Sequence, residues 1–162
     1  MSWALHRVDD RLIHGQVVVA WGRHLRPRRI WVVDDATAAS AWERKLLTSA
    51  APDSEVRVVT VVEAAAAYAE EAAAEGPAIL LVRNLATAAG LLEAGAPILR
   101  FNLGGIHYAP GRTKVNDYIY LDDDDRAHAR RLLARGVILS VQDVPGTRAI
   151  PLSELEPDLA RA

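Results

Sequence analysis

The chain has no cysteine, which excludes disulfide bonds and thiolate metal sites. It has no excess of positive charge either. Nineteen Lys and Arg face 21 Asp and Glu, for a formal net charge of -2, so nucleic acid is not expected as a partner. No apolar run approaches the ~18 residues needed to span a bilayer. Charges stand too early in "MSWALHRVDD" for the apolar region of a secretory leader. The expectation is a soluble, cytoplasmic protein. No G-x-G-x-x-G follows the first strand-like run and no P-loop is present, which weighs against a nucleotide-binding domain. Lysine is nearly absent, with Lys45 and Lys114 alone; with the alanine excess, this points to codon usage rather than function.

What is present is ordinary for a globular chain. Half of the 162 residues are apolar and a quarter are charged, and a chain of this length is expected to form one domain over 1–162. Apolar strand-like runs fall at 3–8, 29–33, 56–61, 78–82, 98–102, 118–121 and 137–142. Helical patterns lie between them at 15–24, 38–49, 63–75, 86–94 and 124–135, and the tail "PLSELEPDLARA" reads as a short closing helix. Runs such as "IWVV", "AILLV" and "VILSV" are apolar throughout, as in strands covered on both faces. The alternation predicts βαβ units with right-handed crossovers. The expected fold is a single three-layer α/β domain with a mainly parallel central sheet of about six to seven strands flanked by helices. Gly76, Gly95 and Gly136 each close a helical pattern before a strand. Asp122 to Asp125 and the pair Asp34-Asp35 read as helix caps rather than cation ligands. His6, His24 and His128 show no metal-ligand spacing, so no metal site is expected. Trp21, Trp31 and Trp42 fit buried faces.

The informative stretch is "RVDDRLIHGQVVVAWG", residues 7–22. It leaves the first strand and enters a helix, the position at which open parallel sheets bind ligands. His14 would stand beside a helix N-terminus, where free amides and the dipole favour an anion. Gly15 lets backbone approach closely, Arg11 can fork two hydrogen bonds onto a phosphate, and either Asp9 or Asp10 can take a proton from one ring nitrogen and select the other as nucleophile. These groups suit a phosphoryl group bonded to the imidazole. On residue pattern alone, a His-Gly at a helix start and paired aspartates at a strand end serve more often as structural turn and cap residues.

The same stretch closely resembles the N-terminal signature of the mannose/fructose/sorbose-type IIB subunits of the bacterial phosphoenolpyruvate-dependent sugar phosphotransferase system. "NLGGIHYAPGRTKV", "APDSEVRVVTVVEAA", "AGAPILRFN" and "ARGVILSVQDVP" are similar in content and order, so the resemblance spans about residues 5–145. It implies a protein-N(pi)-phosphohistidine–sugar phosphotransferase. His14 would take a phosphoryl group from a phosphohistidine on IIA, through Nδ1, and pass it to a sugar entering through the membrane subunits IIC and IID. Arg11 would hold the phosphoryl oxygens, Asp10 would orient His14, and Gly15, Gln16, Asn102, Gly104 and Gly105 would line the phosphate. No cofactor, nucleotide or metal is called for.

The implied location is cytoplasmic, held at the inner face of the membrane through IIC and IID, and relatives leave a homodimer open. Arg112 and Lys114 could face a partner, with solvated loop charges the simpler reading. His107 is not singled out by the resemblance. A hydroxyl that holds the phosphate in some relatives near the third strand's end has only Thr60 to supply it here, beside Val61 and Val62. The alternative reading is a regulatory or docking phosphoprotein that retains the fold without transport activity.

Overall fold

A computed structural model describes residues 2–160. In chain order it forms β1 (Trp3–Asp9), a π-helical segment (Gln16–Trp21) running into α1 (Gly22–Leu25), β2 (Arg29–Val33), α2 (Asp35–Ala38), α3 (Ala41–Ala50) and β3 (Glu55–Val59). These lead to α4 (Val61–Ala73), β4 (Ala78–Val82), α5 (Leu85–Glu93), β5 (Arg100–Gly105), β6 (Thr113–Asn116) and β7 (Ile119–Leu121). The chain closes with α6 (Asp123–Ala134), β8 (Ile138–Val141), β9 (Ile150–Pro151), α7 (Leu152–Leu155) and a 3₁₀ turn (Pro157–Ala160).

The all-apolar runs occupy the middle of the sheet. Every residue of β4 is buried, and β4 lies between β2 and β1 in a seven-stranded sheet of order β3-β2-β4-β1-β5-β8-β9. All its pairs are parallel except β8 with β9. The two faces carry separate cores. Val17, Leu25 and Leu47, from the segments that follow β1 and β2, pack with Ile30, Val32, Ile79 and Leu81. Tyr68, Leu85, Leu91 and Leu132, from α4, α5 and α6, pack on the other face. The chain leaving β1 and the chain leaving β5 therefore turn to opposite faces, although these strands are neighbours. That divergence opens a crevice at the carboxyl end of β1.

Several expectations shift. The third strand ends at Val59, because the Thr60 hydroxyl accepts from the Glu63 amide in a capping box and turns 61 onward into helix. The 38–49 helix is two helices, divided where the Ser40 hydroxyl caps α3. The run 118–121 holds β7, which pairs with β6 in a separate hairpin rather than entering the main sheet. The fifth strand continues through Gly104-Gly105. Trp42 is 73 % exposed, since α3 turns only Glu43 and Leu47 partly inward and buries none of its residues. Asp34 and Asp122 cap α2 and α6 as expected, and Gly95 and Gly136 hold φ of 101° and 81° after their helices. Among the described residues no helix is long and apolar enough to cross a membrane, and no cluster of His, Asp and Glu could hold a metal ion.

At the amino end of β1, aromatic rings tie the strand to α4. Trp3 stacks on Tyr68 at 5.1 Å and meets Trp31 edge-on. His6 Nε2 shares a 2.8 Å hydrogen bond with the Tyr68 hydroxyl. Burial pushes His6 down to about 4 and Tyr68 up to about 12. An unfolded histidine gains its proton near 6.5, whereas folded His6 stays neutral until about 4. The unfolded state thus binds more protons in that window, and stability contributed by His6 falls as pH drops from about 6.5 to about 4. Urea titrations at steps across this range are expected to show a steeper loss for the natural protein than for His6→Gln, which keeps a partner for Tyr68 but does not titrate.

Candidate functional site

The site begins with a buried pair of opposite charges in β1. Arg7 and Asp9 are two residues apart, hence on one face of the strand, and both side chains are fully buried. The Arg7 guanidinium gives Nη1 to Asn102 Oδ1 at 2.7 Å and to the Gln142 carbonyl at 2.9 Å. Its Nη2 goes to the Asp143 carbonyl at 2.9 Å and lies 3.4 Å from Asp9 Oδ2. Trp21 covers it, with the guanidinium carbon 5.3 Å from the ring centroid. Burial lowers the Arg7 pKa, and the Asp9 carboxylate opposes that shift. The neighbouring strand leaves room only because residue 104 is glycine: a Cβ there would lie 1.9 Å from the Arg7 guanidinium carbon. A Cβ on Gly105 would sit 3.1 Å from Asp9 Oδ1 and 3.2 Å from Arg11 Nη2.

Asp9 is the hub. Its Oδ1 accepts from the Arg11 amide and Nε, both at 3.1 Å, and its Oδ2 accepts from Arg11 Nη2 at 3.2 Å. The same Oδ2 lies 2.8 Å from Nε2 of His14. Burial alone would raise the Asp9 pKa; the hydrogen bonds from His14 and Arg11 outweigh it and hold the carboxyl at about 2. An ionised carboxylate only accepts, so Nε2 of His14 carries a proton and Nδ1 presents its lone pair. The Gln16 amide lies 3.3 Å from Nδ1, and the Gln16 side-chain oxygen accepts from Arg11 Nη2 at 3.0 Å. Gly15 precedes the π-helical segment as its cap, with open space around its α-carbon.

The turn that brings His14 back onto Asp9 is made by Leu12, in the left-handed region at φ 57°. A bulky side chain there is disfavoured by about 1–3 kcal/mol. Leu12 is 1 % exposed, so burial of its side chain holds the conformation. Beside this turn lies a cavity of about 510 Å³ lined by Arg11, Ile13, Leu47 and Arg83, among others.

The expected site residues divide into two groups. His14, Arg11, Gly15 and Gln16 gather around one point. Asn102, Gly104 and Gly105 stand behind it: the Asn102 side chain is engaged by Arg7 and by Gln142, and the two glycines make room for Arg7, Asp9 and Arg11. Asp10 is not on His14. It leaves the strand, and its carboxylate takes the amide and the ring of His107 instead; the orienting acid is Asp9. Thr60 Oγ1 is occupied by Glu63, Arg112 by Asp125, and Lys114 by Asp117. Arg7 was not foreseen. Its signal is a charged pair at alternate positions in the buried carboxyl half of the strand, facing paired glycines elsewhere in the chain.

The chain matches the family described as "PTS system sorbose subfamily IIB component" over residues 3–160. It belongs to that family. This IIB component is 34 % identical over 145 residues to the sorbose-specific EIIB component of Lacticaseibacillus casei, covering 89 % of this chain and 88 % of that one. It is 35 % identical over 156 residues, 96 % of its length, to the mannose-specific EIIAB component of Escherichia coli K12, but spans only 48 % of that longer relative. The IIBSor domain of the sorbose permease from Klebsiella pneumoniae superposes with a TM-score of 0.87, at 28 % identity over 100 % of both chains. As a family member the chain is a phosphotransferase-system component.

Two stability effects follow from the Arg7–Asp9 centre. Asp9→Asn leaves the Arg7 charge buried without a countercharge and is expected to cost about 3–5 kcal/mol in urea unfolding at pH 7. Gly104→Ala forces the clamped guanidinium aside and is expected to cost about 1–3 kcal/mol, whereas Gly146→Ala, where an added Cβ meets nothing, should stay close to the natural protein.

Proposed function

We propose that this IIB component accepts a phosphoryl group on Nδ1 of His14 from a phosphohistidine of a IIA partner and passes it to a sugar during uptake through IIC and IID. The observation that carries this reading is the 2.8 Å contact between Asp9 Oδ2 and His14 Nε2, made by a buried carboxylate held near 2. It fixes the ring, keeps the proton on Nε2 and leaves the lone pair of Nδ1, on which the Gln16 amide rests, as the nucleophile. When Nδ1 attacks phosphorus the ring becomes positively charged, and Asp9 stabilises that charge. The Gln16 amide beside Nδ1 is placed to bond a phosphoryl oxygen, and the Arg11 guanidinium lies within reach of the same group. The protein contributes position and preorganised charge, the main demands of phosphoryl transfer.

The relatives' names support a IIA donor and a sugar acceptor. One is called an EIIAB component, and this chain spans about half of it. Others are named for sorbose, fructose and N-acetylgalactosamine. These sugars, with mannose, form the panel to test.

The experiment is phosphoryl transfer from phosphoenolpyruvate through the general phosphotransferase proteins and a matching IIA, read by intact mass and phosphorus NMR. One acid-labile phosphoryl group is expected on the natural protein and none on His14→Ala. Arg11→Ala should slow labelling about 10²–10³-fold. Normal labelling of His14→Ala would refute the assignment. Labelling without onward transfer to any sugar of the panel, in membranes carrying IIC and IID, would leave a docking phosphoprotein.

A further inference from the structure

The carboxyl end of β1 carries a second aspartate–histidine couple that the reading above does not use. Asp10 follows Asp9 directly, and its carboxylate closes two bonds on His107. Oδ2 accepts from the His107 amide at 2.8 Å, and Oδ1 lies 2.6 Å from its Nδ1. The residue is pinned on both sides of the couple: Arg112 Nη1 donates to the His107 carbonyl at 2.9 Å, and Arg83 Nη1 to the Asp10 carbonyl at 3.0 Å. The Asp10 amide also bonds to Gly105, two residues before His107, at 2.9 Å. Asp9 and Gly105 are partners in the β1–β5 register, so both imidazoles stand at the same edge of adjacent strands.

The couples are mirror images in chemistry. Asp9 takes Nε2 of His14 and leaves Nδ1 to the Gln16 amide; Asp10 takes Nδ1 of His107 and leaves Nε2, with no partner among the described residues. The His14 ring is mostly covered, at 16 % exposure, whereas His107 is 49 % exposed. A fixed tautomer with an open lone pair on the solvent side is what a general base requires.

We infer that His107 is the general base of the second half of the reaction, taking the proton of the sugar hydroxyl as the phosphoryl group leaves His14. This rests on the reading of His14 as the phosphoryl carrier. In the first half, phosphorus passes between two ring nitrogens and no proton need move. In the second half, the new bond joins the hydroxyl oxygen to phosphorus. The bond from phosphorus to Nδ1 breaks, its electron pair stays on His14, and the hydroxyl proton goes to Nε2 of His107. Asp10 then balances the imidazolium.

The two halves are separated by making the phosphoprotein first. Natural protein and His107→Gln are phosphorylated through IIA, then discharged to the accepting sugar of the panel in membranes carrying IIC and IID, across a pH series. His107→Gln should load His14 at a rate within twofold of the natural protein, which also shows that it is folded. Its discharge should be slower by about 10²–10⁴-fold. The natural protein should show an acid limb, where the rate falls as the imidazole protonates, and the variant should lack it. Asp10→Asn should load normally and discharge slowly. Discharge of His107→Gln at the natural rate with the same pH profile overturns the inference and leaves His14 untouched. Failure of the natural protein to load or to discharge overturns the underlying reading, and this inference with it.

Discussion

The rest of the site depends on the burial of one ionised carboxylate. Asp9 is fully enclosed at the end of the central strand β1, and three positively charged or protonated groups converge on it: Arg7 from beneath, Arg11 from the loop and Nε2 of His14 from above. Removing two charges from water costs several kcal/mol per ion, and such a pair persists only when hydrogen bonds satisfy the remaining donors. Arg7 meets this condition at Nη1 and Nη2 through Asn102 and two carbonyls after β8, while its buried Nε has no partner among the described residues, so strands β1, β5 and β8 are tied to one ion. The same interaction that closes the fold at this edge also selects the nitrogen that His14 presents.

That arrangement explains why glycines stand at 104 and 105. A guanidinium packed flat against the neighbouring backbone leaves no space for a Cβ. It also explains the strained turn at Leu12. The chain must leave β1, reverse within a few residues and bring a histidine back over the carboxylate that it has just passed, and a left-handed residue makes that reversal. The π-helical form of the following segment belongs with the same constraint, since irregular helix starts are frequent at functional sites.

The two adjacent aspartates are not duplicates. Successive residues at a strand end face different directions. Asp9 turns into the protein and holds a covered histidine, while Asp10 turns to the loop after β5 and holds an exposed one. The β1–β5 register sets both imidazoles at the same edge of the sheet, each on its own acid.

Much of this was legible in the sequence. The apolar runs, their spacing and the capping residues determine a parallel α/β sheet with its ligand edge after β1, because hydrophobic periodicity and backbone capping are local properties. The string from Asp9 to Gln16, through its resemblance to the IIB signature, likewise singles out His14 and Arg11 as the candidates for phosphate handling. Tertiary structure alone decided which acid serves which histidine, that 102–105 packs around Arg7, Asp9 and Arg11, that 118–121 leaves the sheet for a hairpin, and that Trp42 lies outside it. Each of these depends on contacts between residues tens of positions apart. Arg7 reaches residues 102, 142 and 143, and Asp10 reaches 107. No local pattern encodes which of two neighbouring side chains will find its partner across the sheet; the pairing of β1 with β5 settles it.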